Sequence, residues 1–231
     1  LTDFIGDAEL KSIMSDGYNA YTFIGNELKA AETPNLSKTD HQVCLAHARA
    51  KFVKASEQAG DKNADIFIKY IEDLYNLERQ YAKDNLTDEE RGKQRQSLET
   101  KGILINLRTH LCIEKSKDPA TVTPYLQKAL NYLDTFWTNL FTYIKDGSYP
   151  IDNNAAERAV RPLTTQRNSM LHFGSDEGAK MAATYHSIIS TVKLQGRSSW
   201  DYLGKFFVNI FNGCRDFFSL RPGNIGLATC Q

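Results

Sequence analysis

Tyr149-Pro-Ile-Asp-Asn-Asn-Ala-Ala-Glu-Arg-Ala-Val-Arg-Pro162 packs a turn, a helix start, one carboxylate and two arginines into one short run. Pro150 and the series Asp152, Asn153, Asn154 read as a turn, because such side chains bond nearby backbone N–H groups. Asn154 is placed to cap a helix, and Glu157 three residues on completes a capping-box spacing. The helix then carries Glu157, Arg158 and Arg161 before Pro162 stops or kinks it. Taken alone, Glu157 reads as a capping residue. Its surroundings argue for more. From Arg158 through Ser175 there are three arginines (Arg158, Arg161, Arg167), His172 and no acid. A lone carboxylate beside a basic strip suits phosphate chemistry, with a metal on the acid and a phosphodiester on the arginines.

The motif extends from Ile151 through Phe173-Gly-Ser and Ala179-Lys-Met-Ala-Ala-Thr-Tyr to Trp200-Asp-Tyr. In this form it resembles the C-terminal part of the IS66-family transposases, whose Asn-Asn-x-x-Glu-Arg-x-x-Arg-Pro pattern is far more specific than a single acid. The resemblance implies an RNase H-like core and a DDE triad whose last acid is Glu157. It also implies Mg²⁺ or Mn²⁺ as cofactor, DNA ends and target DNA as partners, self-association in an assembled complex, and a bacterial insertion sequence as source.

Two further stretches carry the resemblance. Asp16-Gly-Tyr-Asn-Ala-Tyr21 matches the family motif holding the second catalytic aspartate, which falls on Asp16; by composition alone Asp16 is a turn residue. His41-Gln-Val-Cys-Leu-Ala-His-Ala-Arg-Ala-Lys-Phe52 matches a Cys-x-Ala-His-Ala-Arg-Arg-Lys-Phe motif. Here Leu45 replaces the usual tryptophan and Ala50 the second arginine, so one basic contact is lost while Arg49 and Lys51 remain as DNA contacts. Cys44-x-x-His47 also invites a zinc reading, but one pair supplies only two ligands and no second pair stands at a matching spacing. His47 is assigned a supporting hydrogen bond near the acids, with Asn153 and Asn154, and Cys44 a core position.

Hard Mg²⁺ or Mn²⁺ takes carboxylate oxygens, and two such ions about 3.5–4 Å apart activate the nucleophile and stabilise the leaving oxygen of a phosphodiester. Asp16 and Glu157 are the two metal-binding candidates. The family's first acid lies on an early strand, whereas only Asp3, Asp7 and Glu9 precede Asp16, none after an apolar β-run. The chain also begins at Leu1 rather than Met. Both features fit the C-terminal part of a longer protein, one that lacks here the early strands, the first aspartate and a DNA-binding region.

Between the motifs, the order of elements predicts an α-rich α/β fold: a partial RNase H-like core with an all-helical insertion. A strand ends at the Asp16-Gly17 pair and turns into a helix with Tyr21, Ile24 and Leu28 on one face, closed by Thr33-Pro34-Asn35. A strand over Gln42–Ala46 leads into a helix over His47–Gln58. These make a first core segment, 1–59. Residues 60–147 are the insertion. There Phe67, Tyr70, Ile71, Leu74, Leu77 and Tyr81 follow helical spacing, and Thr87 with Glu90 forms a capping box. A solvated helix runs to a break at Gly102. Thr123-Pro124 opens a long stripe from Leu126 to Ile144 that Gly147 ends. Residues 148–213 complete the core. Within them 163–174 read as extended, Ser175 caps a helix to about Gln195, and Ser198 or Ser199 caps a last helix burying Leu203, Phe206, Phe207, Ile210 and Phe211. Residues 214–231 are a tail, loose from Arg221 onward.

With 231 residues, 41% hydrophobic, a core can form. Lys+Arg and Asp+Glu are both 28, so any basic surface is local. The cysteines Cys44, Cys112, Cys214 and Cys230 show no disulfide-like spacing, which fits a reducing, cytoplasmic setting. No apolar run is long enough to span a membrane. Two readings stand beside a strand-cutting and strand-joining enzyme: a non-catalytic DNA-binding or assembly module derived from one, and a helical interaction protein that binds no DNA.

Overall fold

The computed structural model describes residues 5–6, 8–21, 23–25, 36–170 and 172–225. The protein is α-rich. Two compact units divide the chain, Leu1–Asn154 and Ala155–Gln231.

In the first unit, β1 (Ser12–Ser15) and β2 (Asp40–Val43) pair in parallel, with Ser12 opposite Asp40 and Ser15 opposite Val43. They are the only strands among the described residues. After Gly17 the chain makes a 3-10 turn, Asn19–Tyr21, where a longer helix is expected; Leu28 and the closing Thr33-Pro34-Asn35 lie outside the described residues. β2 passes through Cys44 into α1 (Leu45–Ala59). The strand therefore ends and the helix begins two to three residues earlier than the sequence suggests.

Residues 60–147 contain no strand. α2 (Asn63–Lys83), α3 (Asp88–Arg95), α4 (Leu98–Ser116), α5 (Pro124–Thr135) and α6 (Trp137–Leu140) follow one another. Leu45, Ala48, Phe52 and Ala55 fall on one face of α1 at helical spacing. They share one core with Phe67, Ile71 and Leu74 of α2, Leu107 and Leu111 of α4, and Leu126, Ala129, Leu130 and Leu133 of α5. Phe52 and Phe67 stack with ring centres 4.6 Å apart. Each large side chain so buried stabilises the fold by about 1.5–3 kcal/mol.

The caps are local and fall where expected. Thr87 N donates to Glu90 Oε2 at 2.9 Å and Glu90 N to Thr87 Oγ1 at 3.3 Å, opening α3. Thr123 Oγ1 accepts from Leu126 N at 3.2 Å, with Pro124 as the first residue of α5. Gly102 does not break a helix: α4, capped by Ser97, starts at Leu98 and runs through it. One interior glycine costs only about 1 kcal/mol, less than Leu107 and Leu111 gain in the core.

The expected single stripe from Leu126 to Ile144 is three pieces: α5, α6 and a 3-10 turn, Thr142–Lys145. The end of the last piece is held from a distance in sequence. Arg95, 2% exposed, donates through Nη1 to the carbonyls of Tyr143 at 2.8 Å and Asp146 at 2.6 Å. Those carbonyls are thereby satisfied without a continuing helix. Nε and Nη2 of Arg95 grip Glu78 at 2.8 and 2.7 Å. Gly147 follows, packed so closely on α3 that an added Cβ would sit 1.8 Å from the carbonyl oxygen of Asp88.

In the second unit α7 (Asn154–Met170) runs through Pro162 instead of stopping there, and residues 163–170, expected to be extended, are helical. Proline there withholds one N–H from the Arg158 carbonyl, and the helix bears that loss rather than ending. Ser175 caps α8 (Asp176–Leu194), its Oγ accepting from Gly178 N at 3.0 Å. Ser198 caps α9 (Ser199–Phe211), its Oγ accepting from Asp201 N at 3.3 Å. Val192, Tyr202, Leu220 and Ile225 form this unit's core, backed by Ile188, Leu203, Phe206 and Ile210. Phe207 and Phe211 are not in it; they are 46% and 83% exposed. Nor are 221–225 loose: Ile225 is 6% exposed, and the tail beyond it lies outside the described residues. Cys44 and Cys112 are free, whereas Cys214 is disulfide-bonded, which sequence spacing could not announce because bridging depends on spatial approach. No described helix is long and apolar enough to cross a membrane.

Candidate active site

Asp16 follows β1 directly, at the carboxyl end of a parallel strand pair, the place where open α/β sheets hold their ligands. Its Oδ1 accepts from Tyr18 N at 3.0 Å, and its carbonyl accepts from the Tyr132 hydroxyl at 2.7 Å. Gly17 takes φ +82°, and a Cβ there would sit 2.8 Å from the Tyr132 hydroxyl oxygen. Glycine is thus required twice, for the turn and for the approach of α5. Gly17 N donates to Ser15 Oγ at 3.2 Å, and the same Oγ shares a 2.9 Å hydrogen bond with Nε2 of buried His41. The turn is held from both strands while the Asp16 side chain faces solvent.

The carboxyl end of β2 supplies the second group. Cys44 is fully buried, and burial pushes its thiol up, opposed by the amides of Asn153, His47 and Ala46. A thiol held protonated is a core residue rather than a nucleophile or metal ligand. His47 is half-buried on the first turn of α1. Arg49 Nε lies 3.6 Å from Glu72 Oε2, and Arg79 reaches the same carboxylate at 2.5 Å. Arg49 thus stands in an ion pair at a cleft of about 560 Å³ between α1 and α2, lined also by Lys54, Tyr75 and Asn154. Lys51 Nζ sits 4.5 Å above the centre of the Tyr132 ring, so one tyrosine touches both Lys51 and the backbone of Asp16. Burial pushes the Tyr132 phenol well up, with smaller contributions from nearby Cys44 and Asp16.

The Ile151–Asn154 turn lies against this end of the first unit. Leu45 N donates to Ile151 O at 3.3 Å. Asp152 Oδ2 accepts from the Tyr75 hydroxyl at 2.9 Å and from Asn154 Nδ2 at 2.7 Å, and its Oδ1 accepts from Asn154 N at 3.0 Å. Asp152 thus accepts the first amide of α7 in an Asx turn, and Asn154, expected as the cap, is already the first residue of the helix. Burial, then Asp152, drives the Tyr75 phenol strongly up. Asn153 Oδ1 is buried and meets no hydrogen-bond partner among the described residues.

Glu157 is exposed in the first turn of α7. Asp16 belongs to the first unit and Glu157 to the second. Arg158, Arg161 and Arg167 are all exposed, and no ion pair holds them among the described residues. At about 100° per residue, Arg158 and Arg161 lie roughly 60° apart and Arg167 about opposite Arg158. What reads as one basic strip therefore occupies two sides of a helix. Among the described residues no group of three or more His, Cys, Asp or Glu side chains converges as a metal cluster. Tyr75, Tyr132 and Asp152 were not singled out by sequence. The tyrosines lie on predicted helices but outside the apolar positions named there, and Asp152 read only as a turn residue.

Comparison with known proteins agrees with the motifs. The chain is 27% identical over 198 residues to the uncharacterized protein y4jD of Sinorhizobium fredii, a match covering 86% of this chain and 37% of the relative. It is 30% identical over 216 residues to the uncharacterized protein y4qI of the same organism, covering 90% of this chain and 38% of the relative. The chain thus spans well under half the length of these relatives. No solved structure matches it. The family model for the transposase IS66 family matches residues 3–181, taking in both the Asp16 turn and the Glu157 helix start, and the chain belongs to that family.

Proposed function

We propose that this chain is catalytic-core sequence of a DNA transposase of the DDE type, with β1 and β2 part of an RNase H-like sheet, cutting and joining strands at element ends. The observation that carries it is Asp16: an exposed carboxylate at the carboxyl end of a parallel strand, inside the Asp-Gly-Tyr motif. Asp16 and Glu157 would hold a Mg²⁺ or Mn²⁺ ion, which when bound activates the attacking oxygen and offsets charge on the phosphate. The donor chemistry fits a hard cation. Asp16 spends Oδ1 on the Tyr18 amide, and no hydrogen bond engages its Oδ2 among the described residues. The protein's own part is positional: Ser15, His41 and Tyr132 fix the Asp16 turn, and Tyr75 with Asp152 fixes the start of the helix bearing Glu157. Arg158 and Arg161, on neighbouring sides of α7, are the first choice for DNA phosphates, then Arg167, Lys51 and Arg49, the last already paired with Glu72.

The test does not need turnover. Fe²⁺ substituted for Mg²⁺, with ascorbate, cuts backbone beside the bound metal. Cuts near both residue 16 and residue 157 are expected, suppressed by Mg²⁺ excess and by Asp16→Asn. Cuts at one position alone would end the shared-site reading. Alanine at Arg158, Arg161 and Arg167 together should flatten the salt dependence of DNA affinity; an unchanged slope leaves them no role in binding. The exposed arginines of α7, which need no metal to meet DNA phosphates, equally serve a second reading, a non-catalytic DNA-binding or assembly module derived from such an enzyme. Under that reading DNA affinity persists in Asp16→Asn and Glu157→Gln, and no metal-dependent backbone cuts arise.

A further inference from the structure

α9 is apolar on two sides. One side, with Tyr202, Leu203, Phe206 and Ile210, is in the second unit's core. On the other, Trp200, Gly204, Phe207, Val208 and Phe211 fall within an arc of about 100°. Trp200 and Phe211 are each 83% exposed, Val208 58% and Phe207 46%. The Phe207 and Phe211 rings stack at 6.3 Å along this side. No charged residue interrupts it; Asp201 and Lys205 run along one edge.

Gly204 sits in the middle of the stripe. Among the described residues nothing lies within 4 Å of where its Cβ would be. Glycine is the poorest helix former after proline, and no packing among the described residues requires it here. A hollow flanked by large rings is a seat for a side chain arriving from outside.

We propose that this face docks a second copy of the chain, α9 against α9, antiparallel about a two-fold axis. The order large–small–large is self-complementary in that arrangement. With the axis near Lys205 and Phe206, Trp200 meets Phe211 of the second copy, and Gly204 receives its Phe207 or Val208. A two-fold contact repeats each pairing, so one hollow and one knob per copy suffice. Charge favours like meeting like: the stripe is neutral and the chain's formal net charge is zero. An uncharged aromatic face is a poor match for nucleic-acid phosphates. The size is adequate, since three aromatic rings and a valine exposed to these fractions present roughly 500 Å². Two such faces bury roughly 1,000 Å², the lower bound for a specific interface. The inference rests on α9 alone and is independent of the transposase chemistry.

Sedimentation of the chain from about 1 to about 200 μM reads the association directly. A monomer–dimer equilibrium within that range is expected. Gly204→Leu fills the hollow and Phe211→Ser removes a ring; each should weaken the dimer at least about 10-fold. Gly204→Leu should at the same time hold or raise the thermal midpoint, because leucine is the better helix former. It therefore decides the matter if Phe211→Ser fails to fold. A chain that stays monomeric to the highest concentration overturns the proposal. So does a dimer that neither substitution weakens. Binding of phosphatidylcholine–phosphatidylglycerol vesicles or of duplex DNA that Gly204→Leu abolishes, without any dimer, assigns the face to that occupant and equally overturns it.

Discussion

The Tyr75 hydroxyl donates to the Asp152 carboxylate at 2.9 Å, joining the middle of α2 to the turn that opens α7. The same carboxylate receives the backbone and side-chain N–H groups of Asn154. Tyr75→Phe removes one donor to a half-buried carboxylate and nothing of the ring's packing. The expected loss is about 1.5–3 kcal/mol, the range for hydrogen bonds to charged groups. It should show as a lower urea midpoint at unchanged slope. A midpoint equal to that of the parent chain would mean that water replaces the hydroxyl at no cost.

Arg95 and Glu78 form a pair with side chains 2% and 15% exposed. Arg95→Leu leaves that carboxylate without its partner and the Tyr143 and Asp146 carbonyls without their donor. A loss of about 3–5 kcal/mol is expected. The double variant Arg95→Leu, Glu78→Leu should be more stable than the single one, because no isolated charge remains. A double-mutant cycle measures the coupling. Strict additivity would show that the pair acts only through its separate contacts.

His41 is buried at the strand pair, against Ser15, and burial lowers its pKa below the ordinary 6.5. The unfolded chain then takes up a proton that the folded chain refuses. Stability is complete above about pH 6.5 and falls as pH drops below it, until the folded-state value is reached. The slope is at most about 1.4 kcal/mol per pH unit for this group. Urea midpoints at about pH 7.5, 6.5 and 5.5 should fall less steeply for His41→Gln than for the parent chain. Parallel curves would remove His41 from the acid sensitivity.

What the sequence announces is local. Thr87 with Glu90, Thr123 with Pro124, and Ser175 each satisfy amides within three residues, so a linear reading finds them. The Asp16-Gly17 turn is legible for the same reason. Arg95 holds the Tyr143 carbonyl from 48 positions away, and no periodicity reports that. Tyr132 reaches Asp16 across 116 positions, and nothing near it in the sequence points there. α9 misleads in another way. It is apolar on both sides, so period alone cannot say which aromatics are covered. Pro162 shows that a breaker is a cost rather than a command, outweighed where the remaining turns bond normally.

Gly147 carries a consequence for how this chain can vary. The Asp88 carbonyl oxygen occupies the place of any side chain there, at 1.8 Å from where a Cβ would sit, so even alanine must force α3 off its seat. Gly102 has open space at the same test and bears substitution freely. In a library of single changes sorted by folded abundance, position 147 should be an empty column beside a well-filled one. The depletion would lie only about ten positions before Glu157, yet its cause is the α3 backbone and not that acid. A scan that equates intolerance with catalysis would mark this spot wrongly, because what selection defends there is a gap the width of one hydrogen atom.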